Sequence, residues 1–213
     1  MNRILLIDDH PVYRRGMASL IEAETDLQLC GEAESVPEAQ RLVHELKPDV
    51  LVVDLNLGEG CGLQLIKSVR AQDIHTPILV ISMYEENLFA ERVIRAGANG
   101  YLNKAEAVTN IVPAIRQVLK GKLYLSTVMA EQLLRSQLQG QSDINSPCAS
   151  RLSDREMEVY MMLGQGYSTK RIAAELHLSS KTVDSHKEHI KEKLCIADNN
   201  SLIRHAVAWV MEL

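Results

Sequence analysis

Five short apolar runs, each followed by a stretch with apolar residues at helical spacing, organise the first 120 residues of the chain. Arg3-Ile4-Leu5-Leu6-Ile7 precedes Val12, Met17, Leu20 and Ile21. Leu27 to Glu32 precedes Val36 to Leu46, Val50 to Val53 precedes Leu63 to Val69, and Pro77 to Ile81 precedes Leu88 to Ile94. Gly100-Tyr101-Leu102 and the stretch Val108 to Leu119 complete the series. Strands that are apolar throughout, rather than at every second position, are buried on both faces, and the helices between them fit crossover connections. The pattern predicts a doubly wound α/β fold, a five-stranded parallel sheet with right-handed crossovers and helices on both sides.

Beyond Gly121 the pattern changes. Tyr124-Leu125-Ser126 leads into a helical stretch from Thr127 to Leu138. The polar run Gln139 to Ser150, with Gly140 and Pro147, then reads as a flexible tether. After it the sequence is wholly helical. Ser153-Asp154-Arg155-Glu156 is a capping box opening a helix to Leu163, and Gly164 and Gly166 end it. Ser168 caps a second helix with Ile172, Ala173 and Leu176 facing inward, and His177-Leu178 turns the chain. Ser179 caps a long helix to Leu194, and Ser201 to Val210 forms the last. The expected division is an α/β domain at 1–121, a linker helix and tether at 122–149, and a small all-α domain at 150–213.

Composition narrows the class. With 46% hydrophobic and 24% charged residues this is ordinary globular material. No apolar run spans a bilayer and the N-terminus passes straight into a strand, so neither a signal peptide nor a membrane partner is expected. Cys30, Cys61, Cys148 and Cys195 are scattered with no CxxC pair, which points to reduced thiols in a cytoplasmic protein. The net charge of −5 is uneven: residues 1–120 hold 12 Lys and Arg against 17 Asp and Glu, whereas residues 151–213 hold nine of each. A nucleic-acid-binding segment without net positive charge has to gather its cations on one face and gain phosphate contacts as a dimer.

Candidate chemistry lies where a parallel α/β sheet places it, in the crevice beyond the carboxyl ends of the strands. Asp8 and Asp9, Asp54, Ser82 and Lys104 all fall at such ends. Three convergent carboxylates repel one another unless a cation joins them, and hard oxygen ligands with this charge suit Mg²⁺. Lys104 would neutralise a phosphoryl oxygen, and the Ser82 hydroxyl would donate to another. Residues 2–121 resemble the receiver domain of two-component response regulators, the CheY-like fold. The resemblance implies that Asp54 accepts a phosphoryl group, that Asp8 and Asp9 organise Mg²⁺ with Asp54, and that the Asn56 main-chain carbonyl completes the coordination. It also implies that Ser82 and Tyr101 are a switch pair, the aromatic ring moving inward as the hydroxyl moves toward the phosphate. Leu57-Gly58 and Ala105 replace that family's Met-Pro and Pro, which leaves the chemistry intact and the loops less constrained. A phosphatase of the haloacid dehalogenase type is the enzymatic alternative. It needs a second Asp two residues after the nucleophile, where this chain has Asn56, and so the expectation is that the protein is not an enzyme.

In the last domain, Gly166-Tyr167-Ser168-Thr169-Lys170-Arg171-Ile172-Ala173 and Leu178-Ser179-Ser180-Lys181-Thr182-Val183 carry a second resemblance. From Leu152 to Trp209 the chain is similar, without gaps, to the LuxR-type helix-turn-helix of NarL/FixJ response regulators. Val183, Ile190 and Leu194 pack inward along the long helix, with His186 at their edge and His189 exposed, and no third ligand makes the two histidines a metal site. Asp184, Ser185, Glu188 and Glu192 face outward, flanked by Lys181, Lys187 and Lys191. In a helix-turn-helix the outer face enters the major groove and the flanks touch phosphates. The resemblance places base reading on Asp184, Ser185 and Glu188, with Lys170, Thr182 and the three lysines as further DNA contacts. Carboxylates in the groove accept from the cytosine amino group. Leu202, Ile203, Ala206, Val207, Trp209 and Val210 on the last helix serve both the domain core and a dimer contact.

These readings describe a cytoplasmic response regulator. The resemblance implies that a cognate histidine kinase would phosphorylate Asp54 and that the phosphorylated protein would form a homodimer on double-stranded operator DNA and control transcription, with RNA polymerase as a further expected partner. The alternative is a phosphorylation-independent regulator whose receiver only docks other proteins.

Overall fold

The computed structural model describes residues 1–57, 60–84, 86–139, 152–176 and 178–211. Gly58, Cys148, His177 and all of the expected tether except Gln139 lie outside the described residues. The chain forms two compact units, Met1–Leu138 and Gln139–Leu213.

The first unit is built on strands β1 (Asn2–Ile7), β2 (Leu27–Ala33), β3 (Val50–Asp54), β6 (Ile78–Ser82) and β7 (Gly100–Asn103). They form one parallel sheet in the order β2-β1-β3-β6-β7. The order steps outward from β1 in both directions, so a crevice opens beyond the carboxyl ends of β1 and β3. A short antiparallel pair, β4 (Asn56–Leu57) and β5 (Gly60–Cys61), follows β3 directly.

Helices α1 (Pro11–Glu22) and α5 (Ala107–Leu119) cover one face of the sheet. Met17, Ala18 and Ile21 from α1, and Ile111, Ala114, Ile115 and Val118 from α5, close over Ile4, Leu6, Val50, Val52, Leu79 and Ile81. The intervening residues Leu5, Ile7, Leu51, Val53 and Val80 point to the opposite face, as the two-residue period of a strand requires, and are buried there. Helices α2 (Val36–Leu46), α3 (Gly62–Ala71) and α4 (Glu86–Arg95) supply Ala39, Val43, Leu65, Ile66, Ala90 and Val93 to the buried set. Each fully buried aliphatic side chain stabilises by about 1.5–3 kcal/mol relative to exposure, which is why every central strand is apolar throughout.

This unit extends past the expected boundary at 121. Tyr124 forms a parallel bridge with Gly100 on the outer edge of β7, and its carbonyl accepts from the Tyr101 N–H at 2.9 Å. The Ser126 N–H donates to Glu86 at 2.8 Å, and Met129 of α6 (Thr127–Gln139) is buried. The first part of the expected linker therefore completes the sheet edge.

The second unit holds four helices among the described residues: α7 (Asp154–Gly164), α8 (Thr169–Glu175), α9 (Ser180–Leu194) and α10 (Asn199–Met211). The capping box on α7 is present in both directions, Ser153 accepting from the Glu156 N–H and Glu156 accepting from the Ser153 N–H. Ser168 and Ser179 cap α8 and α9 in the same way. Arg155 donates to the Leu176 carbonyl at the end of α8. Helix α10 begins at Asn199, earlier than the apolar spacing suggests, because Asp198 accepts from the Ser201 N–H at 2.9 Å and caps it.

Candidate functional site

The carboxyl ends of the strands gather the expected pocket. Asp8 follows β1, Asp54 ends β3, Ser82 ends β6 and Lys104 follows β7, and the strand register sets Ile7 beside Val53, Asp54 beside Ile81 and Ser82 beside Asn103. The Lys104 Nζ lies 2.6 Å from Asp54 Oδ2 and 2.8 Å from Asp8 Oδ2. Asp8, Asp9, His10 and Asp54 each offer a ligand atom, all within 4.8 Å of one another. The Asn56 N–H donates to Asp54 Oδ1 at 3.1 Å, holding the β4 backbone over the carboxylate.

Four of the pocket's neighbours were not singled out in the sequence. His10 Nδ1 sits 2.8 Å from Asp9 Oδ1 and 3.3 Å from Asp8 Oδ1, and its place directly after Asp8-Asp9 was the available signal. Arg14, one turn further along α1, is buried and braces the β1 end: it donates to the Asp8 carbonyl at 2.6 Å, to Glu32 at 2.8 Å and to Glu34. The Tyr13 ring centroid lies 4.3 Å from the Lys104 ammonium, a cation–π contact. Gly62 at the start of α3 donates its N–H to the Leu55 carbonyl at 2.9 Å, and any β-carbon there would overlap the Asp54 carbonyl oxygen.

Burial sets the electrostatics. It pushes the Asp54 carboxyl up to about 6, more than the Lys104 ammonium at its side pulls it down. Burial also works against the charge on Lys104, but Asp54 and Asp8 outweigh it and raise the lysine above its ordinary value. Burial and the same two carboxylates raise the Tyr13 hydroxyl.

Ser82 and Tyr101 meet directly, side chain to side chain, and both also bind the backbone of Tyr84. The Ser82 Oγ accepts from the Tyr84 N–H at 3.2 Å, and the Tyr101 hydroxyl donates to the Tyr84 carbonyl at 2.7 Å. Tyr101 is 2% exposed, so the ring stands in its inward position. Asn103 also donates to the Tyr84 carbonyl, at 3.2 Å, and Tyr84 stacks on Phe89 of α4.

On the second unit, Lys170 lies exposed near the start of α8, and Lys181, Thr182, Asp184, Ser185 and Glu188 lie exposed along α9. Val183 and Ile190 are buried as expected, and burial lowers the pKa of His186 beside them. Lys187 departs from its expected flank position. It is buried toward α8, with Nζ 3.3 Å from Thr169 Oγ1 and 3.3 Å from Asp184 Oδ1. Lys191 is also drawn in, 2.9 Å from Glu188. Each of these lysines thus pairs with the carboxylate three residues before it. At the other end of α9, Lys193 reaches the buried Glu156 of α7 at 2.6 Å. Burial works against the Glu156 carboxylate, yet Lys193 and Ser153 hold it below its ordinary value.

Much of the apolar face of α10 is spent within the unit. Leu202 and Ala206 are buried, Trp209 packs with its ring tilted against Tyr160, centroids 5.3 Å apart, and the Tyr160 hydroxyl meets His205 Nδ1 at 2.5 Å. Ile203 and Met211 remain exposed.

An acidic pocket with a buried lysine on a doubly wound sheet, followed along the chain by a helical unit, defines a class, and the matches to known proteins agree. Residues 4–116 match the response regulator receiver domain and residues 150–206 match bacterial regulatory proteins of the luxR family. The chain belongs to the two-component response regulators with a LuxR-type DNA-binding domain, a family of transcription regulators rather than enzymes. It is 33% identical over 207 residues to the response regulator GacA of Pseudomonas aeruginosa, covering 97% of this chain and 96% of that protein. It is 32% identical over 210 residues to the oxygen regulatory protein NreC of Staphylococcus aureus, covering 96% of each. A LuxR-family response regulator from Aurantimonas is 33% identical with a TM-score of 0.59, covering 65% of this chain and 99% of that one. RcsB of Salmonella enterica serovar Typhimurium, bound to a promoter in the presence of the phosphomimetic BeF3-, superposes with a TM-score of 0.69 over 97% of this chain and 98% of that one. At 24% identity this shows the shared fold. No helix among the described residues is long and apolar enough to cross a membrane.

Proposed function

We propose that Asp54 is the phosphoacceptor of this response regulator and that its phosphorylation by a cognate histidine kinase controls a homodimer on operator DNA. The carrying observation is the Lys104 ammonium 2.6 Å from Asp54 Oδ2 with Asp8, Asp9 and His10 converging on the same carboxylate. One Asp54 carboxylate oxygen attacks the phosphorus of the donor phosphohistidine, the phosphorus–nitrogen bond breaks, and the imidazole leaves with the bonding pair. Lys104 stands where it offsets the charge of the incoming phosphoryl oxygens.

The donor set fits Mg²⁺. Asp8, Asp9 and Asp54 are hard oxygen ligands whose crowding favours a divalent cation, and Asn56 lies beside Asp54 to offer its main-chain carbonyl. Asp8, Asp9 and Asp54 would hold the ion, which would offset their charge and supply Lewis-acid stabilisation of an incoming phosphoryl group. Of the expected switch pair, Ser82 is the member that moves, releasing the Tyr84 N–H to reach the phosphoryl group, while Tyr101, already inward, holds the Tyr84 carbonyl. Residues 1–121 form the receiver core, 122–149 the connection and 150–213 the DNA-binding domain. The protein works in the cytoplasm, where kinase, DNA and RNA polymerase are accessible.

The direct test is the mass of the intact protein after incubation with Mg²⁺ and a small acyl phosphate. A single phosphoryl adduct on the wild type, absent from Asp54→Ala and from Mg²⁺-free samples, is the expected result. An adduct of undiminished yield in Asp54→Ala would move the acceptor elsewhere.

A further inference from the structure

Helix α9 presents its carboxylates outward and folds its lysines inward. Asp184 and Glu188, one turn apart on the same face, have side chains 59% and 60% exposed. The lysine three residues beyond each is 10% and 14% exposed, and it reaches back to that carboxylate: Lys187 to Asp184 at 3.3 Å and Lys191 to Glu188 at 2.9 Å. Lys187 is held from a second side by Thr169 Oγ1 at 3.3 Å, on the first residue of α8. A lysine so covered reaches a DNA phosphate only by abandoning both partners. An ammonium behind a carboxylate cancels the repulsion that would otherwise keep it from phosphates. The charge-assisted hydrogen bond also fixes the carboxylate's direction.

We infer that Lys187 and Lys191 are positioning residues, and that Asp184 and Glu188 form two lysine-backed acceptors that select cytosine, through its exocyclic amino group, at neighbouring operator positions. This rests on the DNA-binding reading of α9. Carboxylates accept from the cytosine N4 amino group in the major groove and are refused by the acceptor edges of guanine. Phosphate contact falls instead to exposed lysines such as Lys170 and Lys181. Thr169 adds a link between elements, since the ammonium that orients Asp184 also ties α9 to α8.

The test uses the full-length protein, treated with Mg²⁺ and a small acyl phosphate, on a randomised pool of DNA duplexes. The affinity for the selected duplex is then measured across salt concentrations. Asp184→Asn and Glu188→Gln should each lose a cytosine preference of about 5- to 150-fold at one position. Lys187→Met should lose the same position as Asp184→Asn, Lys191→Met the same as Glu188→Gln, and Lys187→Arg should restore the preference. Neither methionine variant should change the slope of log affinity against log salt, whereas Lys181→Met should lower it by about 0.9 per protomer. A lower slope in either methionine variant, or a retained cytosine preference in either, overturns the inference. If Lys187→Met loses its cooperative thermal unfolding, the Lys191→Met and Asp184→Asn arms decide alone. A wild type that selects no sequence overturns the DNA-binding reading itself.

Discussion

Asp54 carries its carboxyl at about 6 because removal from water disfavours the charged form more strongly than Lys104 favours it. The ordinary value is near 4, so between about 4 and 6 the folded protein holds a proton that the unfolded chain releases. Stability therefore falls as pH rises through that window, and the loss is complete above it. Asp54→Asn removes the buried charge and should stabilise the fold by about 1–3 kcal/mol at pH 7.5 without Mg²⁺. That advantage should shrink toward pH 4, and thermal unfolding across pH in the presence of a chelator checks it. A variant less stable than wild type at pH 7.5 would mean that Lys104 outweighs burial. Asp8, Asp9, Asp54 and Lys104 were legible in the sequence because an apolar strand ending in a charged residue specifies where that residue lies. The roles of Tyr13, Arg14 and Gly62 were not, since each depends on how closely another chain segment approaches. Gly62 shows this most clearly, its missing β-carbon leaving room for the Asp54 backbone.

Element by element, the apolar runs marked all five strands of the main sheet to within a residue or two, because a buried parallel strand admits no polar alternation. Helix starts were legible where Ser caps them, at Ser153, Ser168 and Ser179. The start of α10 was missed because its cap, Asp198, stands outside the apolar pattern. The Tyr124 bridge was missed because one residue joining a sheet edge leaves no periodic trace. Lys187 was misplaced because amphipathic reading sends every charge to the surface, whereas a long side chain can be buried when its head finds partners. The packing of α7 against α10 holds a similar hidden constraint. A β-carbon on Gly164 would lie 2.5 Å from the Ala206 carbonyl oxygen and 2.5 Å from Val210 Cγ2. Gly164→Ala should force the helices apart and cost about 1–3 kcal/mol. The check is a lowered unfolding midpoint for the DNA-binding unit, with phosphoryl adduct formation on Asp54 unchanged. An unaltered midpoint would show that the two helices are not in contact there.

At the scale of the whole molecule, the negative charge belongs to residues 1–120, while residues 151–213 are balanced. The acidic part of that division gathers Asp8, Asp9 and Asp54 in one pocket. The balanced side compensates charge locally, with Asp184 and Glu188 each matched by a lysine on the same helix. A neutral DNA-binding unit has few phosphate contacts to spend, so doubling them in the proposed dimer would change affinity steeply. The account stands or falls on whether the state of Asp54 sets the affinity for DNA. The decisive measurement is the dissociation constant of the full-length protein for its selected duplex at fixed salt. It should be determined for wild type and Asp54→Ala, each with and without Mg²⁺ and acyl phosphate. Phosphorylation should tighten binding by about 5- to 150-fold in the wild type and leave Asp54→Ala unchanged. An equal gain in both proteins, or none in a fully phosphorylated wild type, would contradict it.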